Sequence, residues 1–179
     1  EIVRKMLERN HEAGMEELRQ LREVCTQQVA EVRSFVRSMR PVELDAAGLG
    51  AALRSTVGLF QKDSGIQATF KADPGAMNDD IESSIEVVQI VREALNNVRK
   101  HSSASHVAVT LSRAQDHIKI DIEDDGTGFP FAGEFTLDEL ELLGLGPQSI
   151  MRRTRGLEGD LRLVSRPGRG SEVHVSLPL

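Results

Sequence analysis

Residues 118–124 constrain the fold more than any other stretch of the sequence. Isoleucine occupies positions 118, 120 and 122, and charged residues occupy the positions between them. This period of two predicts a half-buried β-strand whose isoleucines face a hydrophobic core. Asp124 continues the series, so we expect its carboxylate to point toward the interior, where an uncompensated charge is costly. A hydrogen-bond donor must therefore meet it.

Two glycines follow the inward-facing aspartate. Gly126 and Gly128 allow the backbone to turn sharply and to approach a flat ligand closely. A carboxylate beside such an open backbone suits the exocyclic amine of adenine, which we expect to compensate it. The alternative is an ordinary turn at the end of a strand, in which Asp124 accepts hydrogen bonds from its own backbone.

The remaining patterns predict an α+β fold. Apolar residues alternate at 107–111, and strands are also expected at about 66–71, 160–165 and 171–177. Helices are expected at about 45–62, 81–101, 137–142 and 148–157, whereas residues 126–146 are otherwise rich in glycine and loop-like. We expect a two-layer α/β sandwich, in which helices cover one face of a mixed, mainly antiparallel sheet.

A helical hairpin is expected before this domain. Apolar or core-like residues recur in steps of three and four along residues 15–40, which is typical of a coiled-coil seam. They are Leu18, Leu21, Cys25, Val32, Phe35 and Met39. Residues 10–14 are expected to form the turn of the hairpin, and Pro41 ends its long helix. The interpretation divides the chain at residue 44, and it gives Cys25 a role in core packing.

The predicted helix 81–101 carries a row of polar side chains. Glu93, Asn97, Lys100 and His101 are spaced so that they share one helix face. A carboxylate, an amide oxygen and a cation in one row suit a hydrated magnesium ion and the phosphates that it bridges. A solvated helix face is the alternative interpretation.

Two further glycine segments are candidates for ligand contacts. Gly144 and Gly146 precede a predicted helix, whose first backbone N–H groups can bind phosphate. An ordinary loop before a helix, with Pro147 at its start, explains the same residues. The last segment, residues 168–171, leads into the final strand, and it also fits a simple hairpin turn.

Composition excludes several classes of protein. The 179 residues carry a net charge of -6, which argues against a general nucleic-acid binder. Hydrophobic residues make up 39 %, as in a globular protein, and one cysteine excludes an internal disulfide. Since no apolar run approaches the roughly 20 residues of a membrane span, we expect a cytoplasmic piece without membrane contact. The first residue is Glu1, so we expect it to be part of a longer protein.

The four polar and glycine segments, in this order, resemble the boxes of the ATPase domain that histidine kinases share with gyrase-type ATPases. Residues 93–101 are similar to the asparagine box and residues 124–129 to the first glycine box, and residues 144–146 and 168–171 match the later boxes. The resemblance covers residues 45–179. Residues 37–44 are similar to the end of the dimerisation bundle in nitrate-sensor and thermosensor kinases, which favours a sensor histidine kinase of a two-component system.

The resemblance implies a role for each candidate residue. Asp124 would hold the adenine amine, with Ser171 near the same pocket, while Gly126 and Gly128 form the first glycine box. Asn97 would ligate Mg²⁺, and Glu93 would be the catalytic residue. In related ATPases the matching glutamate activates water, whereas in kinases it orders the hydration shell of the metal and the geometry of the phosphates. The remaining residues would face the phosphates of ATP or ADP: Lys100, His101, Gly144 and Gly146. Pro147 and Gln148 depart from the pattern of the family.

The resemblance also implies partners. The parent protein would be a homodimer that phosphorylates its own histidine and passes the phosphoryl group to the receiver domain of a response regulator. Residues 1–44 would be the remnant of the dimerisation bundle, and the acceptor histidine is expected outside this sequence, because His11 lies in the predicted turn. The fragment would bind nucleotide without autophosphorylation. Alternatives are a serine kinase of the anti-sigma-factor type, a hydrolytic ATPase and a non-enzymatic nucleotide sensor.

Overall fold

The structure, a computed structural model, describes residues 12, 14–16, 18–22, 24–26, 48–73 and 81–178. The chain divides into two compact units, Glu1–Pro41 and Val42–Leu179. Within the described ranges, no helix combines the length and the apolar character needed to cross a membrane.

The described residues of the first unit are helical, and two expectations for this unit are wrong. Gly14 is buried and helical, although we expected a turn there, because one glycine costs a helix only about 1 kcal/mol relative to alanine. Cys25 is exposed, and so are Leu18 and Leu21 of the predicted seam, so that Cys25 does not pack in a core of this chain. His11 and the rest of the predicted hairpin lie outside the described residues.

One mixed sheet forms the centre of the second unit. Its strands are β1 (Gln67–Ala72), β2 (His106–Ala114), β3 (His117–Asp124), β4 (Gly133–Thr136), β5 (Asp160–Ser165) and β6 (Ser171–Pro178). Their order across the sheet is β1-β2-β3-β6-β5-β4. β1 and β2 are parallel, and the other neighbouring pairs are antiparallel.

Helices cover one face of this sheet. They are α1 (Gly48–Ser64), α2 (Ile81–Asn97), α3 (Leu137–Leu143) and α4 (Gln148–Gly156), and a π-helical turn, Val98–Ser102, continues α2. The strands alternate accordingly, since Ile120 is fully buried and Lys119 is exposed. The buried apolar side chains of helices and strands join into one core. The predicted α+β two-layer fold is confirmed.

The sequence did not predict β4. Its four residues lie in the segment that we expected to be a loop, and they pair with β5 so that Phe135 is the register partner of Leu163. A strand of four residues is too short to show a clear alternation of apolar and polar side chains. Pairing with β5, which is distant in sequence, makes this segment a strand.

The end of the long helix also differs from the expectation of a regular helix to His101. α2 ends at Asn97, and the following turn widens into a π-helix that stops at Ser103, where the backbone is left-handed (φ 51°). The backbone carbonyl of Ser102 accepts a hydrogen bond of 2.6 Å from the N–H of Thr127. The helix end is therefore attached to residues 125–129, which follow β3 and are called the glycine turn below.

Candidate functional site

A cleft of about 540 Å³ lies between α2, the ends of β3 and β6, and the loop before α4. It brings together residues as distant in the sequence as Glu93 and Val173. The predicted site residues that line it are Glu93, Asn97, His101, Asp124, Gly128, Gly146 and Ser171. The other predicted site residues, Lys100, Gly126 and Gly144, are described but do not line it.

Asp124 lies at the sheet end of the cleft, on the face of β3 that carries the buried isoleucines. Its Oδ1 atom accepts a hydrogen bond of 2.9 Å from the Gly126 N–H, and its Oδ2 atom accepts one of 2.6 Å from the Ser171 hydroxyl. Two hydrogen-bond donors of the chain itself therefore already bond the carboxylate of Asp124. The expectation that a ligand amine alone does so is wrong, because strand pairing places Ser171 directly beside Asp124.

The interpretation as a turn is confirmed, whereas the contact of Asp124 with a ligand stays a prediction. Asp124 caps its own turn through Gly126, and it also faces a cleft that lies against the polar side of α2. An ionised carboxylate has about four acceptor positions, so two donors from the chain leave capacity for a ligand. Gly126 is buried below the cleft and serves the site through its N–H group.

The next residue, Asp125, was not among the predicted site residues. Its carboxylate accepts hydrogen bonds from the Ser105 hydroxyl and from the N–H groups of Ser105 and His106. These bonds, that of the Ser105 hydroxyl first, hold the pKa of Asp125 below its usual value. Asp125 joins the glycine turn to the start of β2, outside the cleft.

The polar face of α2 is divided by the π-helical turn. Glu93 and Asn97 are both partly buried, and both line the cleft together with the exposed His101. Lys100 is exposed and does not line the cleft. A residue in a π-helix turns through a smaller angle than a residue in an α-helix. Lys100 is therefore displaced from the face on which regular helical spacing placed it.

The loop before α4 forms the opposite wall of the cleft. Gly146, Pro147, Gln148 and Ser149 line it, so the first turn of α4 faces the space in front of Asn97. Gly144 has a different role, since it ends α3, and its N–H group bonds the last carbonyls of that helix. Sequence reasoning assigned Gly144 to the phosphates because two glycines before a helix do not show which helix uses them.

Two side chains of α2 carry oxygen atoms that could bind a metal ion in the cleft. Glu93 and Asn97 are one helical turn apart, and both face the cleft. Among the described residues, no group of three or more histidine, cysteine or acidic side chains could hold a metal ion. This set fits Mg²⁺, which accepts one or two protein oxygens and retains water and phosphate as its other ligands.

Comparisons with known proteins agree with this geometry. Residues 82–179 match the family model of histidine kinase-, DNA gyrase B-, and HSP90-like ATPases. The signal transduction histidine-protein kinase/phosphatase DegS of Brevibacillus brevis is 30% identical over 168 residues, which are 93% of this chain and 42% of DegS. The oxygen sensor histidine kinase NreB of Staphylococcus carnosus is 29% identical, over 87% of this chain and 44% of NreB.

Solved structures show the same fold. The ATP binding domain of PrrB from Mycobacterium tuberculosis superposes with a TM-score of 0.58 at 18% identity, covering 73% of this chain and 93% of that domain. The histidine kinase domain of the Erythrobacter litoralis EL346 blue-light activated histidine kinase gives 0.58 at 21% identity, over 86% and 74%. The chain spans less than half the length of DegS and NreB. The chain belongs to the family of histidine kinase-, DNA gyrase B-, and HSP90-like ATPases, and the match lies in its second unit.

Proposed function

We propose that the cleft binds ATP with Mg²⁺, and that the protein containing this chain is a sensor histidine kinase. The observation that carries the proposal is the position of Asp124. Its carboxylate lies inside the cleft, and the oxygen donors Glu93 and Asn97 of α2 line the same space. One cleft thus contains a hydrogen-bond acceptor for a base and oxygen atoms that can bind a metal ion.

The adenine of the nucleotide is proposed to lie at the sheet end of the cleft. Ile122, Val173 and Phe129 provide apolar surface there, beside the carboxylate of Asp124. A flat, apolar base fits such a surface, and an exocyclic amine can donate a hydrogen bond to the unused acceptor positions of the carboxylate. Ser171 holds the carboxylate in place through its hydroxyl.

The phosphates are proposed to lie in front of α4. The first N–H groups of a helix have no partner within the helix, and they carry the positive end of its dipole. The residues of this first turn, Gln148 and Ser149, face the cleft, and so does Gly146. His101 lies on the opposite wall, and Lys100 is close in sequence but would have to reach in from solvent.

Asn97 and Glu93 of α2 are proposed to hold Mg²⁺ beside these phosphates. The amide oxygen of Asn97 would bind the ion directly, and the carboxylate of Glu93 would orient its water ligands. A metal ion held by these residues would neutralise charge on the transferred phosphoryl group. The position of Glu93 one turn before Asn97, on the same cleft wall, supports this division of roles.

The reaction of the parent protein is proposed to be transfer of the γ-phosphoryl group to a histidine, and from there to the receiver domain of a response regulator. The similarity to the histidine kinases DegS and NreB, together with the matching ATPase domain, supports this proposal. We further propose that the parent protein is a homodimer and that the reaction takes place in the cytoplasm, where ATP is supplied.

Calorimetry with ADP and with Mg-ATP tests the nucleotide site. We expect Asp124→Asn to abolish measurable binding, because the amide presents a donor toward the base and weakens the bond to Ser171. Asp121→Asn is the matched control: Asp121 lies on the same strand, bonds His174 at 2.6 Å and does not line the cleft, so binding should remain. Unchanged affinity in Asp124→Asn, with the fold intact by circular dichroism, would reject the proposed adenine contact.

A further inference from the structure

Two serines are register partners at the sheet end of the cleft, Ser165 of β5 and Ser171 of β6. Ser171 bonds Asp124, and Ser165 contacts Phe129, the last residue of the glycine turn. We propose that Ser165 is a positioning residue for nucleotide binding, which acts by holding Phe129 against the base. This inference depends on the proposed function, since it names a further determinant of the same site.

One side chain holds both backbone polar groups of Phe129. The Phe129 N–H donates to Ser165 Oγ at 2.9 Å, and the Ser165 hydroxyl points to the Phe129 carbonyl oxygen at 3.4 Å. Ser165 is 1% exposed, so water does not replace these bonds. The backbone of Phe129 therefore has a defined position, although it follows a glycine turn.

The turn has little room to move on the side of Ser165. Gly128 has φ of 69°, and a Cβ atom at this residue would lie 2.8 Å from the Gly170 carbonyl oxygen and 3.2 Å from Ser165 Oγ. The backbone of Gly128 thus lies against the end of β5 and the turn that connects β5 to β6. Ser165 supports the turn from below without itself lining the cleft.

Because the backbone of Phe129 is held in place, its ring has a defined position at the wall of the cleft. Phe129 lines the cleft, and its ring centroid lies 5.4 Å from that of Phe131, which in turn contacts Phe135 of β4 edge to face. Substitution of Ser165 by alanine would leave the partly buried Phe129 N–H without its partner. The turn would then relax, and the apolar wall for the base would no longer be preformed.

The test compares Ser165→Ala with Ser64→Ala. Ser64 makes the same pair of bonds at the end of α1, to the Phe60 carbonyl oxygen (2.7 Å) and from the Ile66 N–H (3.2 Å), and it does not line the cleft. For Ser165→Ala we expect about tenfold weaker binding of both ADP and Mg-ATP, corresponding to the loss of one buried hydrogen bond. Ser64→Ala should lower the melting temperature but leave both affinities within about twofold.

A double variant tests whether Ser165 acts on binding through Phe129. In a Phe129→Leu variant, the further change Ser165→Ala should weaken binding by much less than tenfold, because the ring that Ser165 positions is gone. Ser165→Cys, which is similar in size and a weaker acceptor, should give an intermediate loss, and it decides the question if the alanine variant does not fold.

Three results would overturn the inference. They are wild-type affinity in both Ser165→Ala and Ser165→Cys, an equal loss in Ser64→Ala, and full additivity with Phe129→Leu. Absence of nucleotide binding by the wild-type chain is a different result, since it rejects the proposed function itself together with this role of Ser165.

Discussion

At the scale of single residues, the position of Asp124 depends on a glycine 46 residues later. Gly170 has φ of 92°, and a Cβ atom there would lie 1.9 Å from the Asp124 carbonyl oxygen. Since real atoms do not approach so closely, a side chain at position 170 forces the two backbones apart. The carboxylate of Asp124, which Ser171 holds on the same strand pair, would move with its backbone.

We therefore expect Gly170→Ala to destabilise the fold by about 2 kcal/mol or more, from the steric conflict together with the strained φ. Gly168→Ala is the control, because Gly168 also has a positive φ (78°), but a Cβ atom there would meet no other atom within 4 Å. That change should cost only about 1 kcal/mol. Urea unfolding measures both values, and equal costs would show that the contact with Asp124 is unimportant.

At the scale of elements, the glycine turn is fastened both to the start of β2 and to the end of the π-helical turn. Asp125 accepts hydrogen bonds from the Ser105 hydroxyl and from the N–H groups of Ser105 and His106. Thr127 bonds the end of the π-helical turn through its N–H. The turn after β3 is therefore held on one side by the start of β2 and on the other by the end of the π-helical turn.

This attachment predicts a dependence of stability on pH. The pKa of Asp125 is lower in the folded protein than in the unfolded chain, chiefly because of the Ser105 hydroxyl and next the His106 N–H. A lowered folded pKa means that the ionised carboxylate stabilises the fold above the unfolded value of about 3.9, and that this contribution is lost as pH falls through the folded value.

Urea unfolding at pH 7 and below pH 4 tests this contribution. Asp125→Asn should reduce the difference in stability between the two pH values, since the asparagine cannot titrate. Asp116→Asn, at an exposed aspartate in the turn between β2 and β3, is the control and should leave the difference as in the wild type. An identical acid loss in Asp125→Asn and in the wild type would contradict the assignment.

At the scale of the whole molecule, one core supports the cleft. The buried apolar residues that join into this core run from Leu49 to Leu177, all within the second unit. The sheet order places β3 and β6 side by side at its centre, so that Asp124 and Ser171 meet.

A chain lacking residues 1–41 should therefore keep its melting temperature and its affinity for ADP. The core and every residue that lines the cleft remain in such a chain. Thermal unfolding followed by circular dichroism, together with calorimetry, measures the two quantities. A large drop in either one would show that the first unit contributes to the fold or to the cleft.

Local patterns determined a large part of this architecture. The alternation of isoleucines in β3 predicted both the strand and the inward direction of Asp124, because a strand repeats every two residues. Helical spacing likewise predicted that Glu93 and Asn97 share a face of α2. Each of these predictions depends on residues close together in the sequence, for which the geometry of one element is sufficient.

Only the tertiary structure decided which distant residues meet. Pairing of β3 with β6 supplies Ser171 to Asp124, pairing with β5 makes β4 a strand, and the π-helical turn moves Lys100 off the polar face. Gly144 closes α3 and does not face the cleft. Sequence periodicity shows which face of an element a residue occupies, but hydrogen-bond partners across a sheet depend on which strands become neighbours, and that is a property of the whole fold.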